Sequence, residues 1–162
     1  MKQEHLLSIS VSAGVITVST TRTKETDSSG KAIQTILSEA SIPVRHYAVI
    51  PDRIEAIRAE VERALLTCNC IIVDGGTGLT HDDCTIEAVS PLLEKRIDGF
   101  GELFRMKSYE EIGTSTMLSR AVAGIITGAA VFCIPGSTGA VTLATRSLIV
   151  PEIAHILSHA NR

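Results

Sequence analysis

The stretch that decides the fold is Cys68-Asn-Cys-Ile-Ile-Val-Asp-Gly-Gly-Thr-Gly-Leu-Thr-His-Asp-Asp-Cys-Thr-Ile-Glu87. Its apolar run, 71–73, predicts a strand buried on both faces, as in a parallel sheet covered by helices. Gly75, Gly76 and Gly78 follow that run directly. Because glycine has no Cβ, the N–H groups of such a turn can point at one bound anion. The stretch therefore predicts a phosphate-binding loop at the carboxyl edge of a sheet, where open α/β sheets usually bind ligands.

The segments around this stretch alternate between strand and helix patterns. Strands are predicted, from β-branched and apolar runs, over 11–19, 44–50, 71–73 and 129–134. Helices are predicted, from apolar residues at helical spacing, over 31–40, 51–65, 85–93, 141–150 and 152–160, with Pro151 separating the last two. Right-handed crossovers between such units give an α/β fold: a three-layer, mostly parallel sheet flanked by helices.

The segment 94–124 is harder to assign. Residues 94–113 show weak periodicity but collect Phe100, Leu103, Phe104 and Met106, most of the chain's few large side chains. Such a cluster is either core or a subunit contact, where aromatic residues and Met are enriched. Residues 113–124 are mostly small, and we predict a helix there that approaches a neighbour closely.

Composition limits the class of protein. A length of 162 residues predicts a single domain over 1–162, and 44% apolar with 20% charged residues is typical of a globular chain. A net charge of −3 argues against nucleic acid as a partner. No apolar run reaches the roughly 18 residues that span a bilayer, and residues 1–5 lack the order of a signal peptide. We therefore expect a cytoplasmic protein with no membrane partner. Four cysteines without a C-x-x-C pair predict reduced, mostly packed thiols.

The glycine loop alone is weak support for function. It is neither a Walker loop nor a complete dinucleotide fingerprint, and a tight turn without a ligand is the alternative. However, a second glycine turn, Pro135-Gly-Ser-Thr-Gly, follows the strand predicted over 129–134. Two loops with free backbone donors on one edge of a sheet suit a ligand that carries phosphate at two places.

Acidic residues lie next to both strand-to-helix junctions. Asp52 fits a helix N-cap, with Glu55 completing a capping box, and Asp82 and Asp83 could cap the next helix. Alternatively, carboxylates from two junctions face one cleft, where they could hold Mg²⁺ against the phosphates of a nucleotide. Arg22 and Arg120 either reach phosphate or are surface charges.

Taken together, the motifs resemble the molybdenum cofactor biosynthesis family of MoaB and MogA, with the related gephyrin and plant Cnx domains. The matching pieces cover nearly the whole chain in order: Val18-Ser19 with Arg22, Asp27-Ser-Ser-Gly30, Ile50-Pro-Asp52, Gly75-Gly-Thr-Gly-Leu-Thr80, Asp83 to Ala88, Gly99-Phe-Gly-Glu-Leu-Phe-Arg105, Glu111-Ile-Gly-Thr-Ser115, Ser119-Arg-Ala-Val-Ala-Gly124 and Pro135-Gly-Ser137. As a set they are highly specific. The Phe-Gly-Glu-Leu-Phe-Arg and Glu-Ile-Gly-Thr-Ser pieces are more similar to MoaB than to MogA.

The resemblance implies a molybdopterin-binding fold and a reaction. Active members transfer AMP from Mg·ATP to the terminal phosphate of molybdopterin and release pyrophosphate. By matching motifs, Asp52 and Asp83 are the expected catalytic carboxylates, with Asp83 also a ligand of Mg²⁺. The expected molybdopterin- or nucleotide-binding residues are Ser19, Gly75, Gly76, Thr77, Gly78, Thr85, Ser115, Ser119, Pro135, Gly136 and Ser137. The family also implies a homo-oligomer, a trimer or a dimer of trimers.

Several alternatives stay open at this point. A non-catalytic molybdopterin-binding or scaffold protein would have the same fold and oligomer. A nucleotide pyrophosphatase resembling the CinA amino-terminal domain would share the fold. Some MoaB proteins lack the first aspartate and look inactive, whereas this chain has Asp52, which favours an active enzyme. Asp74 stands where the family usually has Thr or another neutral residue, and it either joins the magnesium site or weakens nucleotide binding. The choice between a molybdenum and a tungsten pathway is also open.

Overall fold

The computed structural model describes residues 8–162, so the signal-peptide prediction from residues 1–5 lies outside the described residues. Six strands form one sheet: β1 (Ala13–Val18), β2 (Val44–Ile50), β3 (Cys70–Asp74), β4 (Lys95–Arg96), β5 (Val122–Ile126) and β6 (Ala129–Ile134). The α-helices are α1 (Ser28–Glu39), α2 (Ile54–Leu65), α3 (Thr85–Val89), α4 (Asp98–Ile112), α5 (Thr138–Ala144) and α6 (Val150–Ala160). Shorter helical turns cover Ser90–Leu92, Gly113–Leu118 and Thr145–Ile149, the last of them a π turn.

The sheet is mostly parallel and has the order β2-β1-β3-β6-β5-β4. Strands β2, β1, β3 and β6 run parallel to one another, whereas at one side β5 pairs antiparallel with β6 and β4 pairs antiparallel with β5. Helices cover both faces, so the predicted three-layer α/β fold is confirmed. The strand order reverses between β1 and β3, because β1 leads away to β2 on one side while β3 leads toward β6 on the other. Such a switch point opens a crevice at the carboxyl ends of the strands.

Two apolar clusters, one on each face, hold the layers together. Along β1 the side chains alternate: Val15 packs into the cluster beneath α1, α4, α5 and α6, and Ile16 into the cluster beneath α2 and α3. Both side chains are fully buried. Three of the four cysteines are buried and all four are free thiols, which confirms the prediction from their spacing. Burial raises the pKa of Cys70 and of Cys133 to about 12, so these two thiols stay protonated.

The segment 94–124 differs from its prediction. Residues 98–112 form the helix α4, in which Phe100 and Phe104 face the core while Leu103 and Met106 are exposed. The predicted cluster is therefore divided between core and surface, and apolar residues on both sides of α4 explain its weak periodicity. The predicted helix over 113–124 is wrong, since a 3₁₀ turn over Gly113–Leu118 is followed by β5.

The last helical segment also differs. Pro151 does not separate two helices: α5, the π turn and α6 continue into one another, and Pro151 lies at the second position of α6. A π turn directly before a proline is a known way to absorb its missing N–H and its steric demand. Because the helix is continuous, Thr138–Ala160 is long and apolar enough to cross a membrane by length and composition alone, a test that core helices of soluble proteins also pass. Here one side of it belongs to the core, where Val141, Ala144, Ile149, Ile153 and Leu157 are buried.

Candidate functional site

A cleft of about 810 Å³ opens at the carboxyl ends of β1, β3 and β6, at the switch point of the sheet. We call it the carboxyl-edge cleft. Two backbone loops form its floor: the first glycine loop (residues 75–78) after β3, and the second glycine loop (residues 135–137) after β6. Its remaining lining comes from the segment 18–22, from Asp52, from Asp82 and Asp83, and from Leu118 and Ser119.

The first glycine loop needs its glycines for steric reasons. Gly75 and Gly76 have φ values of +91° and +66°, a region that side chains rarely adopt. A Cβ on Gly75 would lie 2.4 Å from the carbonyl oxygen of Val18, and one on Gly76 would lie 2.5 Å from Thr85 Oγ1. At Gly78 a Cβ would lie 2.6 Å from Asp83 Oδ2. The loop therefore passes closely between β1, α3 and the acidic segment only because it lacks side chains.

Thr85 and Arg120 fix the direction in which the first glycine loop points. The Thr85 hydroxyl donates to the Gly75 carbonyl (2.7 Å), and the Thr85 N–H donates to the Gly76 carbonyl (2.9 Å). Arg120 donates from Nε to the Thr77 carbonyl (2.8 Å) and from Nη2 to the Gly78 carbonyl (2.9 Å). All four consecutive carbonyls are thus bound by protein donors.

The N–H groups of the same loop, unlike its carbonyl groups, are mostly left without a hydrogen-bond partner among the described residues. The Gly75 N–H donates to Ile134, but within residues 8–162 no protein acceptor takes the N–H of Gly76, Thr77 or Gly78. Three successive free donors in a glycine turn make a concave site for an oxyanion. The second glycine loop adds backbone next to them: a Cβ on Gly136 would lie 3.0 Å from the Gly75 Cα, so the two loops are in contact.

Asp52 and Asp83 both line the cleft, from different strand-to-helix junctions. The predicted N-cap role of Asp52 is wrong, because the cap of α2 is Arg53 and makes no side-chain cap bond; the capping box with Glu55 is therefore absent too. Asp52 instead accepts the Thr20 hydroxyl on Oδ2 (2.8 Å). Asp83 does not cap α3, and its Oδ2 accepts the N–H (3.0 Å) and the hydroxyl (2.7 Å) of Thr80.

The described residues contain no group of three or more His, Cys, Asp or Glu side chains arranged to hold a metal ion. A preformed, all-protein metal cage is therefore lacking in that part of the chain. The donor set does fit Mg²⁺ that arrives with phosphates, since Mg²⁺ keeps several waters and typically uses one or two carboxylates plus phosphate oxygens. Asp52 and Asp83 would be those carboxylates.

Arg22 is the one positively charged residue among the described residues that line the cleft. Its Nη1 donates to the Ser29 hydroxyl (2.7 Å) and lies 3.5 Å from the Gly136 carbonyl oxygen. It also lies 3.8 Å from Asp27 Oδ1. Arg22 therefore joins the second glycine loop to the start of α1, whereas Arg120, its counterpart from the sequence analysis, braces the first glycine loop from outside.

Beneath Arg22 lie two fully buried carboxylates, Asp27 and Asp74. Asp74 accepts the Ser29 hydroxyl (2.6 Å) and the Thr17 hydroxyl (2.8 Å). Burial raises its pKa to about 6, the charge of Asp27 adds to that effect, and the hydroxyl donors and Arg22 oppose it. Burial also favours a higher pKa for Asp27, but donors that include Tyr47, the Gly30 N–H and Ser29 outweigh it and leave that pKa below its ordinary value.

The sequence-predicted site residues mostly converge. The cleft is lined by Ser19, Asp52, Gly75, Gly76, Thr77, Gly78, Asp83, Ser119, Pro135, Gly136 and Ser137. Thr85 is buried beneath the loop and reaches it through hydrogen bonds. Ser115 is exposed on the Gly113–Leu118 turn and is not among the lining residues, so a ligand contact there is not supported by this geometry. Thr20 was not predicted, although its position beside Ser19, after β1, signals the same edge.

Fold and site together define a class: α/β proteins with a backbone-lined ligand cleft at the switch point of a mostly parallel sheet. Within it, the chain belongs to the family of molybdenum cofactor biosynthesis proteins, because the family model described as "Probable molybdopterin binding domain" matches residues 14–155. The resemblance drawn from the motifs is therefore confirmed.

Individual relatives agree with this assignment. Molybdenum cofactor biosynthesis protein B of Staphylococcus carnosus is 47% identical over 163 residues, covering 96% of each chain. A crystal structure of a molybdenum cofactor biosynthesis protein B superposes with a TM-score of 0.92 at 46% identity, covering 96% of this chain and 99% of the other. The tungsten cofactor synthesizing protein MoaB of Pyrococcus furiosus superposes with a TM-score of 0.86 at 38% identity, covering 94% and 98%.

Proposed function

We propose that this protein is a molybdopterin adenylyltransferase of molybdenum cofactor biosynthesis, which transfers AMP from Mg·ATP to the terminal phosphate of molybdopterin. The observation that carries the proposal is the row of free N–H groups at Gly76, Thr77 and Gly78, three residues that line the same cleft as two carboxylates, Asp52 and Asp83. Free amide donors bind phosphate, and the carboxylates account for a divalent cation. A cleft for an uncharged ligand would need neither.

The reaction asks the protein mainly for positioning. A terminal phosphate oxygen of molybdopterin forms a bond to the α-phosphorus of ATP, the bond from that phosphorus to the bridging oxygen breaks, and pyrophosphate leaves with the electron pair. The first glycine loop would hold phosphate oxygens by its free N–H groups, and the second glycine loop, which packs against it at Gly136, would bound the neighbouring part of the cleft. Holding the two reactants in line supplies much of the rate enhancement.

Asp52 and Asp83 would hold Mg²⁺ that enters with ATP. When bound, Mg²⁺ neutralises part of the charge on the phosphates and on the leaving pyrophosphate. Each carboxylate uses Oδ2 for its bonds to Thr20 or Thr80, within the described residues, which leaves Oδ1 for a cation or its water. The hydroxyls hold the two carboxylates in position without neutralising their charge.

One assay tests the proposal against its alternatives. Purified protein is incubated with Mg·ATP, with and without molybdopterin, and pyrophosphate release and molybdopterin binding are measured; a parallel incubation contains a dinucleotide and no pterin. Release that requires molybdopterin supports AMP transfer. Molybdopterin binding without ATP consumption would show a non-catalytic binding or scaffold protein instead. Cleavage of a dinucleotide with no pterin present would show a pyrophosphatase of the CinA type.

We further propose that the protein is a homo-oligomer, a trimer or a dimer of trimers. Support comes from an exposed apolar face on α4 and the turn after it, which includes Leu103, Met106, Met117 and Leu118. Exposed apolar side chains grouped on one element are typical of protein–protein contacts. A mass measured by light scattering at three or six times 17.2 kDa would support this proposal, and a monomeric mass would contradict it. A single domain over residues 1–162 and a cytoplasmic location also remain proposals.

A further inference from the structure

The acidic network beneath the carboxyl-edge cleft has no part in the proposed chemistry, yet it is the most heavily buried charged cluster near it. Asp27 and Asp74 are both fully buried, and both lie within reach of one hydroxyl, that of Ser29. The Ser29 oxygen is 2.6 Å from Asp74 Oδ1 and 3.3 Å from Asp27 Oδ1. A hydroxyl has one proton to donate, so these distances assign it to Asp74.

The same hydroxyl oxygen receives Arg22. Because Ser29 donates its proton to Asp74, its lone pairs are free to accept the Arg22 N–H at 2.7 Å. A chain of hydrogen bonds thus runs from the buried carboxyl of Asp74, through Ser29, to the cation of the cleft. Arg22 then ends beside the second glycine loop, 3.5 Å from the Gly136 carbonyl.

We propose that Arg22 is a phosphate-binding residue of the cleft and that Asp74 is its positioning residue, which holds Arg22 through Ser29 and sets the charge beneath any anion that Arg22 binds. The inference rests on the proposed function for the identity of the ligand, a nucleotide phosphate. Asp74 is thereby assigned to the support of Arg22 and not to the magnesium site. Both carboxylate oxygens of Asp74 already accept hydroxyl groups, and the residue is fully buried.

The sign of the effect follows from counting charges. The groups that face Asp74 are Asp27 before α1, Arg22 on the loop after β1, and Tyr47 on β2, whose hydroxyl bonds Asp27 at 2.6 Å. Tyr47 is neutral at physiological pH, because burial and the neighbouring carboxylates raise its pKa. With Asp74 ionised, two negative charges lie beneath one positive charge. With Asp74 protonated, Arg22 and Asp27 balance, and an anion in the cleft meets less repulsion.

Linkage then makes phosphate binding depend on pH. The pKa of Asp74 is raised to about 6, so its charge is mostly present at pH 8 and mostly absent at pH 5. Asp27 behaves differently, because its lowered pKa keeps it ionised over the whole range. A substitution at Asp74 should therefore change anion binding at pH 8 and have little effect at pH 5, whereas a substitution at Asp27 should act equally at both.

The experiment measures the Kd for Mg·ATP by calorimetry at pH 5 and pH 8, on full-length wild type, Asp74→Asn, the matched control Asp27→Asn, and Arg22→Gln. The Asn side chain in Asp74→Asn keeps an oxygen that can accept the Ser29 hydroxyl and so retains the bridge to Arg22, but it removes the negative charge. At pH 8 we therefore expect Asp74→Asn to bind roughly three- to tenfold more tightly than wild type, and at pH 5 about equally. Arg22→Gln should bind roughly tenfold more weakly. Comparing proteins at the same pH cancels the titration of ATP itself, and circular dichroism shows whether each variant is folded.

Several results would overturn the inference. A wild-type to Asp74→Asn ratio that is the same at both pH values would reduce Asp74 to a packing role, and an unchanged Kd in Arg22→Gln would remove Arg22 from the phosphate site. Either result, together with molybdopterin-dependent pyrophosphate release by the wild type, would leave the proposed function standing. Wild-type protein that is folded and binds no ATP would contradict both proposals. Should Asp27→Asn fail to fold, the Asp74→Asn ratio alone still decides the question.

Discussion

The two edges of the sheet each carry a cavity, and the cavities differ far more in chemistry than in size. The carboxyl-edge cleft measures about 810 Å³ and the amino-edge cavity, at the other ends of β3 and β6, about 590 Å³. Arg22, Asp52, Asp82 and Asp83 line the first. The described lining of the second contains no charged side chain: Ser8, Ile9, Leu65, Cys68, Asn69, Thr127, Gly128, Ala129 and Asn161.

The amino edge differs because its backbone groups are already bonded within the protein. The side-chain amide of Asn69 accepts the N–H of Ser12 on Oδ1 (2.9 Å) and donates from Nδ2 to the carbonyl of Ser10 (2.9 Å). Asn161 donates to the carbonyls of Gly128 (2.9 Å) and Leu157 (2.8 Å). At the carboxyl edge the arrangement is selective, since the loop carbonyls are bonded and the loop N–H groups are free. The two cavities are therefore distinguished by free backbone N–H donors and not by their volume.

The largest expected effect tests the carboxylates of the cleft. Asp83→Asn should reduce AMP transfer by roughly a thousandfold, because the neutral amide cannot hold the cation that enters with ATP. Pyrophosphate release in the presence of molybdopterin measures it. Asp82→Asn is the matched control, since Asp82 lines the same cleft one residue away, and it should retain most activity. Equal losses in both variants would mean that general negative charge matters, and an unfolded Asp83→Asn would favour a structural role in the Thr80 turn.

The next effect concerns stability at the carboxyl edge. The pKa of Asp74 is raised from 3.8 to about 6, so its ionised form is disfavoured in the folded state. Ionisation of Asp74 therefore has no effect on the free energy of unfolding below pH 4, lowers it as the pH rises from about 4 to 6, and lowers it by a constant amount above that. Asp74→Asn removes this term and should raise the free energy of unfolding by up to about 3 kcal/mol at pH 8 and by little at pH 4. Urea denaturation at both pH values measures it, and a gain that does not change with pH would contradict the explanation.

A smaller effect tests the first glycine loop against a glycine that is free of contacts. Gly76→Ala places a Cβ at a φ of +66° and 2.5 Å from Thr85 Oγ1, so we expect a loss of about 2 kcal/mol in stability and weaker ATP binding. The matched control is Gly139→Ala in α5, where a Cβ would meet nothing within 4 Å. That variant should be neutral or slightly more stable. A neutral Gly76→Ala in both thermal unfolding and ATP titration would show that the loop conformation is not required.

The comparison also shows what the sequence could predict. The carboxyl-edge cleft could be predicted because two glycine turns, Gly75 to Gly78 and Pro135 to Ser137, each follow an apolar run. That Asp52 and Asp83 both line it follows from the topology of parallel strands. The buried partners of Asp74 could not be predicted from the sequence, since Thr17 and Ser29 lie 57 and 45 residues away. The role of Arg120 as a brace was missed for the same reason, because its carbonyl partners are 42 and 43 residues away.

The antiparallel side of the sheet was missed although its signal was present. Two apolar runs, Val122–Ile126 and Ala129–Ile134, are separated by only two residues, Thr127 and Gly128, which is the pattern of a hairpin. The small residues over 113–124 instead suggested a helix, because Ala favours helices and Thr-Gly is not the commonest hairpin pair. Local propensity was overridden here by pairing with β6, where Ile126 lies opposite Ala129.

The smallest expected effect lies at that hairpin, on the amino edge. Thr127 and Gly128 have φ values of +46° and +81°, and a two-residue turn with both φ positive favours Asn-Gly. A β-branched residue at such a φ is strained, so Thr127→Asn should stabilise the protein by about 0.5–1 kcal/mol, measured by urea denaturation. Its N–H bond to Glu94 (2.8 Å) should be kept, since the backbone does not change. AMP transfer should also be unchanged, because the substitution is at the opposite edge of the sheet from the cleft. Altered turnover in a folded Thr127→Asn would mean that the two edges of the sheet are coupled through β6. The amino edge would then affect function although its described lining lacks the free donors and charged side chains of the carboxyl-edge cleft.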